Sequence, residues 1–478
     1  MTRGGHGNDG VRLSGGRLLP LVGRCLQVLA VAVRWRLALL IDASPVARRL
    51  GHRPVPSARR LRRALESLGG GFVKLGQLLS MQRELLSEAT CRELWKLLDR
   101  VDPLPFEEIE QVASAELGRS LAQEFDAVER RPLASASIAQ VHVARRAGRR
   151  WALKIQRPRA VADFGRDLAV MAALAAVIRR LGLRSAGWLA DSFEEFADWT
   201  ARELDFRWEA RFMTEISRRR GAGADGARIP ELDAARSGRR LLVAELLDGP
   251  TLVDHLRHPD RGWSVAGFDP ERFARRLVEA FLGDVFRHGI FHADLHPGNL
   301  VILPGARVGT VDFGIVGRLS RFGRRHLVAM TLAYTRGDVE AMLDHFERLA
   351  RCDSAAAMAR YRDGVRRLAD GWFQRRAGRV EFLQRFPQVM LEMMQLSRTT
   401  KVWPQREVVL YFRSVLAADG LVARFAPGFD LEGAIRAFAG RLTSEQALVD
   451  WLAPERWLLR LGDALEGGSG APRRRAGA

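Results

Sequence analysis

Asp294, Asn299 and Asp312 carry the hard oxygen atoms that phosphate chemistry needs, and they occur in a telling order. Asp294 and Asn299 stand five positions apart in H-x-D-x-H-x-x-N, and Asp312 opens D-F-G with Phe313 and Gly314. Phosphoryl transfer from ATP requires a divalent metal among anionic oxygens and a carboxylate where the acceptor hydroxyl or water sits. Asn299 and Asp312 are oxygen ligands of the kind Mg2+ prefers, which leaves Asp294 to accept the proton. A spaced D-x-x-x-x-N followed by an apolar hairpin and D-F-G is hard to obtain by chance.

Several elements must position these groups. Residues 300–303 and 307–311 read as two short strands around a Pro304-Gly305 turn, so the hairpin is expected to bring both metal ligands together. Upstream, Ile138, Val141 and Val143 predict one strand, residues 145–150 its turn, and Trp151, Leu153 and Ile155 the returning strand. Alternation puts Lys154 on the face opposite Leu153, as expected of a lysine that reaches the α and β phosphates. Ala134, Ser135, Ala136 and Ser137 stand where a phosphate-covering loop needs close backbone approach. Residues 161–181 predict one long helix and 186–218 another. The second contains Glu203, Asp205 and Glu209, one of which should pair with Lys154; spacing leaves open which. Glu245 and Leu247 follow a strand beginning at Arg240, where a nucleotide-binding hinge belongs by fold analogy. Residues 273–288 predict the helix leading into the His292 loop. Beyond Gly314 there is no A-P-E and no activation segment, which argues against a peptide-docking platform.

The N-terminal part has its own pattern. A helix is expected from Ser57 to Leu68, broken by Gly69, Gly70 and Gly71, then a second apolar helix in which Lys74, Gly76 and Gln77 are the small or polar features. Further helical segments are predicted over 85–98 and 107–117, and from 321 to about 460. Thirteen arginines crowd the first 70 residues against Asp9, Asp42 and Glu66. Residues 18–41 are too interrupted by Arg24, Arg34 and Arg36 to span a bilayer; an interfacial helix with snorkelling arginines and a helix packed on the main domain are both open. Residues 442–465 are likewise too charged to span.

A net charge of +20 draws the chain toward anionic surfaces. No zinc finger, RNP-type strand or base-reading helix is present, so a membrane surface rather than nucleic acid is the expected use of that charge. Three cysteines, Cys25, Cys91 and Cys352, make no disulfide framework and no C-x-x-C knuckle.

Over roughly residues 60–400 the chain resembles the ABC1/ADCK/UbiB family of atypical kinase-like ATPases, which are linked to ubiquinone biosynthesis. The marks are K-x-G-Q at Lys74 to Gln77, the small-residue loop at Ala134 to Ser137, and E-x-D at Glu203 to Asp205. The resemblance implies an α+β, bilobal protein-kinase-like fold with a helical N-terminal extension and a mostly helical large lobe. It implies that K-x-G-Q covers the site, that Lys74 reaches into it with Glu203 and Asp205 as partners, and that Glu209 pairs with Lys154. Asp294, Asn299 and Asp312 are then the catalytic-loop carboxylate and the two metal ligands, with ATP and Mg2+ as cofactors. The family loop is commonly A-A-A-S, and A-S-A-S leaves open whether the Ser135 hydroxyl meets phosphate or backbone.

The organisation expected is a basic segment (1–56), a helical extension (57–128), a small lobe (129–248), a large lobe (249–465) and a basic tail (466–478). The function expected is an Mg-ATP-dependent kinase or ATPase supporting isoprenoid-quinone metabolism, cytoplasmic and peripheral to the inner face of the cell membrane. Its partners would be a lipid or quinone-precursor ligand, an anionic membrane and quinone-biosynthesis proteins. The alternatives are a small-molecule kinase of the aminoglycoside or choline type and a non-catalytic ATP-binding scaffold.

Overall fold

Alternation at every second residue buries Trp151, Leu153 and Ile155 on one side of a strand and leaves Lys154 on the other. In the computed structural model of the chain this strand, β4 (Arg149–Gln156), lies antiparallel between β3 (Ala139–Arg146) and β5 (Leu241–Glu245). The short β1 (Ala127–Val128) and β2 (Ala134–Ser135) both pair with β3, completing a five-stranded antiparallel sheet. Ala147 and Gly148 turn the β3–β4 hairpin with φ of 49° and 73°, the left-handed pair that a two-residue turn between twisted strands requires. The register sets Lys154 opposite Val141 on one side and Leu242 on the other. The Phe106–Leu117 helix covers the apolar face, packing Ile109, Val112 and Ala113 against Leu153, Ile155 and Val243.

The structure describes residues 18–45, 49, 55–80, 86–98, 102–182, 187–221, 226–257, 268–352, 354–376 and 379–452. The expected basic tail at 466–478, and the arginines before residue 18, lie outside the described residues. Two compact units emerge, one of residues 1–219, 229–248 and 309–316, the other of 220–228, 249–308 and 317–478.

The first unit holds the sheet and a second, helical core. Helices Leu18–Ala43, Ser57–Leu68, Gly70–Ser80, Glu88–Leu94, Ala160–Arg180 and Gly187–Glu203 contribute to it, with Phe72, Leu75, Leu94, Val170, Met171 and Phe196 buried at its centre. Gly76 is what lets this core close, since a Cβ there would sit 2.4 Å from Leu97 Cδ1 and 2.8 Å from Leu65 Cδ1. The buried Asp167 caps the Gly70–Ser80 helix from a distance: it accepts from the Gly71 amide at 2.7 Å and from Arg24 Nε at 2.7 Å. Residues 18–41 therefore do pack on the body of the protein. Among the described residues no helix is long and apolar enough to cross a membrane.

The expected helix over 186–218 is in fact two, Gly187–Glu203 and Phe206–Arg220. Asp205 separates them, accepting the Arg207 amide at 3.1 Å, so a carboxylate read as part of a helical face instead starts a new helix.

In the second unit, the Pro270–Gly283 helix starts at an Asp269 cap and runs on through a π-helical turn, Asp284–His288, rather than staying α-helical to 288. Gly289, at φ 64°, then releases the chain into β6 (Ile290–His292). Inside that turn the buried Asp284 carboxylate takes both Nε and Nη2 of Arg220. Strands β7 (Leu300–Leu303) and β8 (Arg307–Thr310) form a ribbon around Gly305 at φ 72°. Helices Arg321–Thr335, Val339–Arg348, Ala355–Ala369, Phe386–Thr400, Arg406–Phe425 and Leu431–Leu452 complete the unit. Phe281, Phe286, Phe291 and Tyr411 make an aromatic cluster in its core.

Two predictions follow from this packing. Gly76→Val should lower the denaturation midpoint by the equivalent of roughly 1–3 kcal/mol, the cost of overpacking a filled core. His326, with Nδ1 3.0 Å from Nδ1 of His345, is pushed down to about 4 by burial, with His345, Arg348 and Arg325 adding to the effect. Because the unfolded chain takes up this proton first, stability present above pH 6.5 should fall as pH drops toward 4, by about 1–2 kcal/mol once screening by nearby solvent is included. Urea titrations of wild type and His326→Gln across that range check it, the variant showing the shallower dependence.

Candidate functional site

Lys154 is carried by β4 with its ammonium over the Phe206 ring, whose centre lies 5.6 Å from Nζ. The ammonium contacts Glu209 Oε2 at 2.8 Å and Asp312 Oδ1 at 3.0 Å. Glu209 sits in the first turn of the Phe206–Arg220 helix, and its other oxygen accepts the Phe313 amide at 3.1 Å. One buried carboxylate thus ties the strand lysine to the D-F-G backbone. Of the three candidates that spacing left open, Glu209 is the partner of Lys154.

Burial disfavours the Lys154 ammonium, but Asp312 and Glu209 outweigh it and hold its pKa above the ordinary lysine value. Burial also pushes the Glu209 carboxyl up, against the pull of Lys154. The two directions conflict over whether the pair is ionised. The geometry decides for the ion pair, because both Glu209 oxygens receive hydrogen bonds.

Asp312 has φ 60°, a left-handed conformation that aspartate tolerates better than most residues. Its Oδ1 also accepts the Gly314 amide at 3.3 Å, and a Cβ at Gly314 would come within 3.2 Å of that oxygen. Phe313 is 1 % exposed and anchors the segment, while the Asp312 side chain is half exposed.

Lys74, on the Gly70–Ser80 helix, meets Glu203 Oε2 at 2.7 Å. That oxygen is buried and has no aligned hydrogen bond, so the contact is between charges. Glu203 also borders Gly314, its Cγ 3.8 Å from where a Cβ would stand, which places the Lys74 pair beside D-F-G. Asp205 does not join it. Arg207 holds that carboxylate through Nε at 2.9 Å and Nη2 at 2.6 Å and depresses its pKa, so the expectation of Asp205 as a partner of Lys74 is corrected. Gln77 donates Nε2 to the Leu97 carbonyl at 2.7 Å, a use within the helical core.

The small-residue loop is clamped by a residue that sequence reasoning missed. Arg157 reaches the Ala136 carbonyl at 2.9 Å, the Ser135 hydroxyl at 2.8 Å and the Asp102 carbonyl at 2.6 Å, and its own amide binds the Ile138 carbonyl at 2.8 Å. The Ser135 hydroxyl thereby has a guanidinium partner. Ala134 and Ser135 form β2, and the Ala136 amide closes the turn onto the Ala139 carbonyl, with Ser137 between them. The signal for Arg157 was only its place just past the end of β4. At the far end of β5, Glu245 accepts the Glu231 amide at 3.1 Å, and Leu247 is buried two residues on.

The second unit builds the H-x-D-x-H-x-x-N loop by itself. His292 Nδ1 accepts the Asp294 amide at 3.2 Å and His296 Nδ1 accepts the Gly298 amide at 3.1 Å, so both rings shape backbone. Asn299 Nδ2 donates to the Asp294 carbonyl and to its Oδ2, each at 3.1 Å. With the amide nitrogen so engaged, Oδ1 is the Asn299 atom suited to a cation. Among the described residues no group of three or more His, Cys, Asp or Glu could hold a metal. Asp312 carries a carboxylate and Asn299 an amide oxygen, each by itself a hard donor of the kind Mg2+ takes alongside phosphate and water.

A family model described as the ABC1 atypical kinase-like domain matches residues 96–346. Among solved structures, the chain is similar to Mycobacterium tuberculosis Rv3197, described in complex with erythromycin. Identity is 22 %, the match covers 77 % of this chain and 92 % of that one, and the TM-score is 0.48.

The buried pair gives a direct test. Lys154→Met and Glu209→Gln should each destabilise the protein, and the double variant should lose less than the sum, with a coupling of about 1–3 kcal/mol in a denaturation cycle. Additive losses would show that the contact carries no energy.

Proposed function

We propose, from the premise that this chain belongs to the ABC1 atypical kinase-like family, that it is an Mg-ATP-dependent phosphotransferase or ATPase acting at a membrane surface. The observation that carries the reading is the sharing of one lysine between Glu209 and Asp312 while Glu209 holds the Phe313 amide. A lysine fixed in this way is preorganised to meet phosphate oxygens, and a carboxylate beside it is preorganised to meet a metal.

In this reading Lys154 would neutralise nucleotide phosphate, and Asp312 and Asn299 are the residues assigned to Mg2+. When bound, the metal withdraws charge from the phosphate oxygens and orients them. Asp294 receives the proton of a water or small hydroxyl acceptor, its orientation set by the Asn299 amide. The Arg157 clamp presents the backbone of Ala134 to Ser137 for covering phosphate, leaving the Ser135 hydroxyl a scaffold role. Glu245 and Leu247 are assigned to the adenine edge. Lys74 is assigned to the site through Glu203.

The acceptor class we propose is an isoprenoid-quinone precursor or related lipid, which places the enzyme in the cytoplasm, peripheral to the inner face of the cell membrane, among quinone-biosynthesis proteins. The basic charge of the chain, +20, supports contact with an anionic surface.

Asp294→Asn should lower ATP turnover by about 10²–10⁴-fold, the usual worth of a positioned general base, with Mg-ATP binding nearly unchanged. Steady-state hydrolysis and equilibrium nucleotide titration of the two purified proteins check this. Equal turnover would remove Asp294 from the chemistry.

A further inference from the structure

The Leu18–Ala43 helix is apolar on two opposite faces. Val28 is buried and packs with Val31 into the helical core of the first unit. Val22, Leu26, Leu29, Val33, Leu37 and Leu40 are instead 48–61 % exposed. With 3.6 residues per turn these six fall in one stripe about 80° wide, on the side away from Val28 and Val31. Arg34 and Arg36, both exposed, lie on its two margins. The one acidic residue of the helix, Asp42, is buried and paired with Arg60. The outward face therefore combines apolar side chains with cations and no anion.

We infer that this face docks on an anionic lipid surface, with the helix in the interfacial plane, the stripe at the acyl boundary and Arg34 and Arg36 among lipid phosphates. The inference rests on the membrane-surface part of the proposed function and assigns it to residues. Contiguous exposed apolar surface marks an interaction site, and its charge selects the occupant. A second copy of the same face would set arginines against a surface with no carboxylate to meet them. An anionic headgroup layer satisfies them while the long arginine stems stay on the apolar side.

The test is sedimentation of the full chain, without nucleotide, with vesicles of phosphatidylcholine alone or mixed with phosphatidylglycerol. The chain should sediment with the mixed vesicles and do so less at high salt. Leu29→Glu with Val33→Glu should weaken binding at least tenfold, with circular dichroism and melting temperature reporting that the fold is kept. Arg34→Gln and Arg36→Gln, at exposed positions, should each weaken it about fivefold and provide the test if the glutamate pair does not fold. Failure of the wild type to sediment with anionic vesicles, or binding indifferent to both sets of variants, overturns the inference. So does a concentration-dependent dimer in ultracentrifugation that Leu29→Glu with Val33→Glu abolishes while the wild type ignores vesicles. ATP hydrolysis measured on the same preparations without vesicles separates the two readings. Vesicle binding without hydrolysis removes the enzymatic proposal, and hydrolysis without vesicle binding removes this surface.

Discussion

An ammonium taken out of water must find negative charge at hydrogen-bond distance, and Lys154 finds it twice. Glu209 is the more buried of its partners and has a second obligation, the amide of Phe313. Because Glu209 cannot satisfy the lysine without also fixing D-F-G, three separate elements are held in one arrangement: the strand β4, the first turn of the Phe206–Arg220 helix and the segment around Asp312. The same bonds keep the left-handed backbone at Asp312 in place, where its carboxylate is half exposed beside Lys154. Strain of that kind persists only where the surroundings determine it.

The helical extension depends on this arrangement through Glu203, which meets Lys74 on one side and Gly314 on the other. Its approach is close because Gly76 has no side chain between Leu65 and Leu97, and because Asp167 substitutes for a local cap at Gly71. Lysine, glycine and glutamine in K-x-G-Q thus serve three distinct needs: a charge contact, close helix packing and a bond to the Leu97 carbonyl. In the other unit the same economy holds, with His292 and His296 holding backbone amides and Asn299 setting the orientation of Asp294.

The Leu18–Ala43 helix shows why hydropathy alone left its placement open. Packing on the protein and facing an interface were alternatives for a helix with one apolar face, and this helix has two. The break at Asp205 shows a different limit. The capping carboxylate stands in the sequence, but helical periodicity runs on through it, and only the fold separates Glu203 and Glu209 onto two helices.

What the sequence by itself determined was local: the hairpin that presents Lys154, the helix from Ser57 to Leu68, the ribbon around Gly305, and the order Asp294, Asn299, Asp312. These follow from strand alternation, capping residues and turn glycines, whose effects reach only a few residues along the chain. The tertiary structure decided which charges meet. Lys154 and Asp312 are 158 residues apart, Lys154 and Glu209 are 55 apart, and Arg157 closes on Asp102 across another 55. No periodicity encodes such pairings; they are selected when burial removes water as a competing partner, and only the folded chain shows which groups were buried together.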